Sequence, residues 1–290
     1  MEGPSRRGLS GIVMSCALLG ATAAVAIAAK TPVQQGVFAL LGGTQQATAQ
    51  MRVAPASSPA GLAVRIRQFQ MDGTTPIVNY TVDMERTMHM IVVRDDFKTF
   101  AHLHPDIDAT TGTFHQTLTG LDPTHRYYLY ADTVPQGMAQ QVFRFTLQGQ
   151  NIAAVPPAET LAASATTAAA GGPYTVQLST TTLNAAQPSR LLIAIKEHKK
   201  PAGDLAPYLG MPAHLVLIGA TSLQYIHIHP YLRGSSMTAA MKAAAAGTPQ
   251  TGPYLAADLP ALPPGSYKLW VQFRGAALKL YVANFTLDAQ

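Results

Sequence analysis

A single cysteine, Cys16, occurs in the 290 residues, and it sits inside an apolar N-terminal run. No intrachain disulfide can form, and the body of the chain offers no thiolate. A metal site there must use histidine, methionine or carboxylate. Charge is also scarce: Asp, Glu, Lys and Arg make up 12% of the chain against 48% apolar residues. That balance is too apolar for a disordered chain and too poor in charge for the usual cytosolic surface. The net charge of +5 is modest. The basic residues never gather into the stripe that nucleic acid selects, so nucleic acid is not an expected partner. The chain also lacks a Gly-rich phosphate loop, a G-x-S-x-G elbow and any carboxylate pair that recurs along it. The chemistry must be sought elsewhere.

The N-terminus carries an address. Residues 9–29 hold no charge and follow Arg6 and Arg7. The run is long enough to span a bilayer, and the arginines favour a cytoplasmic N-terminus with everything after Lys30 outside. Ala24-Val25-Ala26 and Ala26-Ile27-Ala28 also supply small-x-small cleavage sites, so residues 1–30 are read as a signal peptide or a membrane anchor. The twin arginines of Ser5–Ser10 match an export signal loosely. Cys16 makes a poor lipoprotein box, because the apolar run continues past it. Either way the protein is expected to be exported, to the periplasm or the outer face of the cytoplasmic membrane. The membrane is a partner if the helix is uncleaved.

Residues 31–59, rich in Gln, Ala, Thr and Ser, read as a flexible linker, and 151–172 as a second, Ala- and Pro-rich one. Between and after them lie two blocks, 60–150 and 173–290. Each breaks into seven short runs rich in Val, Ile, Thr and Tyr, separated by turn residues. In the first they are LAVRIRQF, PIVNYTV, MHMIVVR, FAHLHP, TFHQTLT, YYLYADTV and QVFRFTL; in the second, YTVQLST, RLLIAIKE, HLVLIGA, QYIHIHP, PYLAADL, SYKLWVQF and KLYVANFTL. Tyr127 and Tyr267 enter the sixth run just after a Pro-containing turn, in the position of a tyrosine corner. The expected fold is all-β: two tandem, duplicated immunoglobulin-like (seven-strand) β-sandwiches after an N-terminal transmembrane or signal helix. The second block carries insertions at 198–212 and 231–253. The latter holds a short helix near 234–247, with Ser235 or Ser236 as its cap and Gly247 beyond its end.

Two stretches, TFAHLHP and QYIHIHP, end at Pro105 and Pro230. At an offset of 125, His89, His102 and His104 fall on His214, His227 and His229. Across 86–105 and 211–230 these histidines and the proline are the only identities. Side chains at i and i+2 of a strand share a face about 7 Å apart at Cα, so each His-x-His pair projects together. With RDDFK as a hairpin turn, His89 lies beside His104 or His102 on the neighbouring strand. The same construction gathers His214, His227 and His229. Three imidazoles from two strands can converge on one ion, which suits zinc or copper, copper leading on intrinsic affinity. Met88 and Met90 alternate to the opposite face as core. Met84 and Met211 precede the histidine strands, where a loop could bring a thioether to Cu⁺. The alternative is a buried, hydrogen-bonded cluster that binds nothing.

On the second block, Leu215, Leu217, Ile226 and Ile228 form the core face. The histidine face then turns outward with Val216, Ile218 and Tyr225. Its counterpart carries Ile91, Val93 and Phe100. Such a face is too apolar to stand in water and needs a cover, from loops or from the other block. His115 and His125 have no counterparts and read as surface residues, KEHKK (196–200) as a solvated loop, and Trp270 as core.

MHMIVVRDDFKTFAHLHP and YLGMPAHLVLIGATSLQYIHIHP resemble a group of exported bacterial β-sandwich proteins. These carry a Met-His strand followed by F-x-H-x-HP and, in a second copy, YLG-M-x-x-H followed by H-x-HP. The resemblance covers most of 60–290 and implies an envelope protein linked to heavy-metal or copper handling. His89, His102, His104, His214, His227 and His229 are the motif positions. IGATSLQY lacks the acidic residues of VRDDFKTF, which leaves the second hairpin's turn type open. The function expected is thus an exported, membrane-tethered module binding copper or zinc, one three-His site per repeat, with metal-transport or envelope proteins as partners. A structural or interaction module with packed, metal-free histidines is the second reading. A His₃ metalloenzyme comes last, because a general base is wanted and Glu85 and Asp106 have no counterparts in the second block.

Overall fold

The computed structural model describes residues 32–56, 61–147, 164–170, 172–248 and 250–290. The uncharged run 9–29 lies outside them, and among the described residues no helix is long and apolar enough to cross a membrane. Thr31–Gln290 is one compact unit. It is nearly all β, with two sandwich-like repeats.

In the first repeat one sheet runs, in spatial order, Val33–Gln35, Thr48–Pro55, Leu62–Phe69, Thr113–Leu118 and Asp106–Asp108. The other runs Val37–Phe38, Gln141–Leu147, Tyr127–Pro135, Met88–Arg94 and Phe100–Leu103. The second repeat echoes this. Thr166–Ala168, Tyr174–Leu178, Ser189–Glu197, Tyr254–Leu259 and Tyr231–Leu232 form one sheet. Thr182–Leu183, Leu280–Ala289, Gly265–Arg274, His214–Gly219 and Tyr225–Ile228 form the other.

Three differences from the sequence reading stand out. Residues 31–59 are not a tether in their described part: Thr48–Pro55 is a full strand paired with Leu62–Phe69. Its apolar Ala49 and Met51 alternate inward, each almost wholly buried, between polar Thr48, Gln50 and Arg52. Further upstream, Leu41 N–H donates to Tyr225 O, and Tyr225 N–H to Ala39 O, so this segment also clips onto the second repeat. Conversely, PIVNYTV contributes only the two-residue strand Tyr80–Thr81. The second expected linker likewise holds the Thr166–Ala168 strand, paired with Tyr174–Leu178.

The seven runs of the second block all form strands. Both tyrosines close their corners: Tyr127 Oη accepts from Asp122 N–H, and Tyr267 O–H donates to Pro263 O, each at 2.8 Å. The inserted helix is Met237–Ala245, and the Ser236 side chain accepts from Ala239 N–H at its start. The hairpin turns differ. Phe97 takes the left-handed conformation in the first and Leu223, one position later in the alignment, in the second.

Each repeat has its own core. Met51, Ile66, Met88, Met90, Phe114 and Phe145 belong to the first, and Val176, Leu215, Leu217, Ile226, Ile228 and Phe285 to the second. A third cluster lies between the repeats. Ile91, Val93, Phe97, Tyr128 and Tyr130 of the first meet Val216, Ile218, Tyr225 and Trp270 of the second. The outward histidine faces therefore cover each other. Tyr130 stacks on Tyr225 at 5.2 Å, and Trp270 stacks on Phe100 at 5.0 Å. Because Phe100 aligns with Tyr225 and Tyr130 with Trp270, these two stacks are the same contact made twice with the repeats exchanged. Trp270, read as core, belongs to this junction.

Candidate metal centre

The histidine strands carry the register the sequence implied. Met90 pairs with Leu103 and Ile91 with His102, which sets His89 beside His104 one step further. Leu215 pairs with Ile228 and Val216 with His227, which sets His214 beside His229. Within the first triad the rings lie 4.8–5.2 Å apart, and within the second 4.6–5.2 Å. The triads are not separate sites. His89 is 5.0 Å from His227 and 6.0 Å from His214, and His102 is 5.4 Å from His227. Ligating nitrogens come within 4.8 Å of one another for His89, His102 and His104, and again for His89, His214 and His227. Thus the structure brings all six predicted residues into one cluster at the junction, with His89 common to both groupings; His229 joins through its ring contacts.

Hydrogen bonds decide where the protons sit. The Nε2 of His89 faces Asp83 O at 3.1 Å, and the Nε2 of His214 faces Tyr208 O at 3.0 Å. A carbonyl can only accept, so both Nε2 atoms carry hydrogen. In the neutral imidazoles both Nδ1 lone pairs then point inward. There the Nδ1 of His89 meets His102 Nε2 at 2.9 Å, and the Nδ1 of His214 meets His227 Nε2 at 3.0 Å. On the far side, His102 Nδ1 lies 2.8 Å from Gln272 Oε1 and His227 Nδ1 lies 3.2 Å from Asp132 Oδ2. With those oxygens accepting, the Nε2 atoms of His102 and His227 also bear lone pairs inward. In that tautomer set four outer nitrogens face acceptors and four inner nitrogens face one another, an arrangement that suits an ion. The Nε2 atoms of His104 and His229 are buried without a partner. An unpaired buried nitrogen is costly, and a cation would satisfy it.

The two accepting carbonyls come from equivalent turns, Asp83–Arg86 and Tyr208–Met211, each closed by its own bridge. Met84 and Glu85 in one, Leu209 and Gly210 in the other, have positive φ. Three of these four are not glycine and hold a conformation that costs them roughly 1–2 kcal/mol each. Strain of this kind collects where a structure needs an atom in one place. Here the atom is the carbonyl that fixes a histidine tautomer. Met84 and Met211, candidate thioether ligands in the sequence, pack instead with Tyr231, Met237 and Ala240 around the inserted helix.

A domain of unknown function, DUF8832, matches residues 45–150 and again 167–290. The chain belongs to the DUF8832 family. No curated protein matches it. Among solved structures, a red sea bream transglutaminase aligns at 11% identity over 86% of this chain and 32% of that one, with a TM-score of 0.23. A chimeric titin Z1Z2 tandem carrying a GRGDS peptide from fibronectin aligns at 9% over 79% and 91%, TM-score 0.20. Dpr2 Ig1-Ig2 in complex with DIP-Theta Ig1-Ig3 aligns at 9% over 80% and 92%, TM-score 0.21. Likenesses this slight carry no argument. This chain spans about a third of the transglutaminase.

Burial governs the electrostatics between the two DUF8832 repeats. It lowers the pKa of all six imidazoles, and for the five other than His89 the charges that neighbouring histidines would carry add to the effect. His104 and His229 are brought down to about 4. All six are therefore neutral at pH 7, the form that ligates metal. Burial also pushes Asp132 up to about 7. Gln140 Nε2 and Tyr225 O–H donate to that carboxyl and partly offset the rise.

Asp132 and Gln272 were invisible in the sequence. Asp132 lies opposite His89 on the Tyr127–Pro135 strand, and Gln272 opposite His214 on Gly265–Arg274. They are the same position in the two repeats, five residues after the corner tyrosine. The insertion shifts their offset from 125 to 140, which hid the match. His115 is exposed, and His125 pairs with Asp95 at 2.8 Å, both away from the cluster.

Proposed function

We propose that this protein binds a copper or zinc ion in a histidine centre shared by its two repeats. The reading rests above all on the buried, unpartnered Nε2 atoms of His104 and His229 and on inner nitrogens whose outer partners are acceptors. His89, His102, His104, His214, His227 and His229 would hold the ion, which would bring a positive charge to a spot where lone pairs otherwise face one another. His104 and His229 are half-buried residues at the margin of the cluster, whereas the His227 side chain is only 1% exposed. The proposal extends to an immunoglobulin-like topology in each repeat, supported by paired sheets and the two corner tyrosines. It also extends to an exported location at the membrane's outer face, supported by Arg6, Arg7 and the uncharged run 9–29. Envelope or metal-transport proteins are the partners that this placement favours.

A second reading is favoured by the 2.9 and 3.0 Å inner contacts, which have hydrogen-bond lengths. His102 and His227 could each donate from Nε2, making a metal-free lock between the repeats. That arrangement needs Gln272 turned to offer its NH₂ to His102 and, at the same time, Asp132 protonated. Metal content separates the two: the ion-binding reading expects at least one ion per chain after exposure to Cu²⁺ or Zn²⁺ and dialysis, and the lock expects none.

A further inference from the structure

The two repeats bring the same position to the centre with different chemistry. Asp132 belongs to the first repeat but reaches His227 of the second, and Gln272 belongs to the second but reaches His102 of the first. Each half of the cluster is therefore completed by the opposite repeat. Both reaching side chains are almost wholly buried, Asp132 at 3% and Gln272 at 6% exposure. In this dry setting a carboxylate and an amide act very differently on an imidazole. A carboxylate behind the outer N–H makes the inner nitrogen more basic and cancels one unit of the ion's charge. An amide oxygen accepts the same hydrogen bond and contributes no charge. The surrounding groups reinforce the contrast: Tyr225 O–H and Gln140 Nε2 both donate to Asp132.

We infer that the centre is polarised: Asp132 and Gln272 are positioning residues that set unequal affinities, and the ion is held more tightly at the His214/His227 half, which Asp132 backs, than at the His89/His102 half. The inference rests on the ion-binding reading above. It adds that occupancy depends on contacts exchanged between repeats, so metal affinity reports their docking.

The test is competitive Zn²⁺ titration of the full chain, with folding of each variant checked by circular dichroism. Asp132→Asn keeps size and hydrogen bonding but removes the charge, and it is expected to weaken Zn²⁺ binding 10–100-fold. In the parent chain, His214→Ala costs more affinity than His102→Ala. In a charge-exchanged chain, D132N with Q272E, that order reverses. A merely structural role for Asp132 would not reverse it. Should the exchanged chain fail to fold, Q272E alone carries the test, since a second carboxylate must shrink the loss caused by His214→Ala. An Asp132→Asn affinity within twofold of the parent, an order unchanged in the exchanged chain, or an unchanged His214→Ala loss in Q272E would overturn the inference while leaving ion binding standing. A folded parent chain that takes no Zn²⁺ or Cu²⁺ would overturn the ion-binding reading itself.

Discussion

The proton on His89 is placed by a backbone carbonyl, and so is the proton on His214. Asp83 O and Tyr208 O leave both rings one neutral tautomer, with Nε2 protonated. Nitrogen-15 shifts of the metal-free protein are expected to report Nε2–H on both residues; Nδ1–H on either would remove the inward lone pairs. The depressed imidazole pKa values also set a pH profile. A histidine lowered in the fold contributes stability that is present above about 6.5 and lost as pH falls through the folded value, about 4 for His104 and His229. Asp132 acts oppositely: its contribution is present below about 3.8 and lost as pH rises through about 7. Six histidines outweigh one aspartate, so the urea midpoint of the metal-free protein should rise from pH 4 to 6.5. A midpoint that falls over that window would contradict the assigned burial. The six histidines were legible because duplication kept them at one offset. Asp132 and Gln272 were not, because no local spacing links a strand residue to a ring in the other repeat.

Strands were read directly where runs rich in Val, Ile, Thr and Tyr are bounded by turn residues, as in HLVLIGA and YKLWVQF. The strand TAQMRVAP is not evident from sequence, because its alternation sits inside a stretch with linker composition. A chain cut at residue 50 would sever that strand, so any truncation should begin no later than residue 32. The turn that aims the Asp83 carbonyl escaped notice because Asp-Met-Glu-Arg carries no glycine to announce positive φ. That strain makes a prediction at Glu85, which is exposed and has φ 65°. Glu85→Val is expected to lower stability by about 1–2 kcal/mol in urea unfolding, since a branched side chain tolerates this conformation worst. Glu85→Gly should not lower it. Equal losses from both would mean the turn conformation is not the constraint.

Between the repeats, the sequence showed that each histidine face needed a cover but not which surface supplied it. Apolar complementarity between two distant faces leaves no trace in spacing. The structure answers with paired stacks, Tyr130 on Tyr225 and Trp270 on Phe100. Trp270→Ala is expected to cost about 3–5 kcal/mol. Against a total stability of about 5–15 kcal/mol for a domain, that is enough to loosen the docking. Size-exclusion chromatography and thermal unfolding should then show the repeats parting or the chain unfolding early. A variant as stable as the parent would place little weight on the junction. For the same reason either repeat alone, stripped of its partner's face, should self-associate rather than remain monomeric.

The most direct measurement is the metal content of the folded protein by mass spectrometry, after exposure to Cu²⁺ and Zn²⁺ followed by dialysis. It should be compared with a chain carrying His102→Ala and His227→Ala whose fold is verified by circular dichroism. The account predicts at least one retained ion per parent chain and none per variant. A folded parent chain that retains no ion, or a variant that retains as much as the parent, would contradict it.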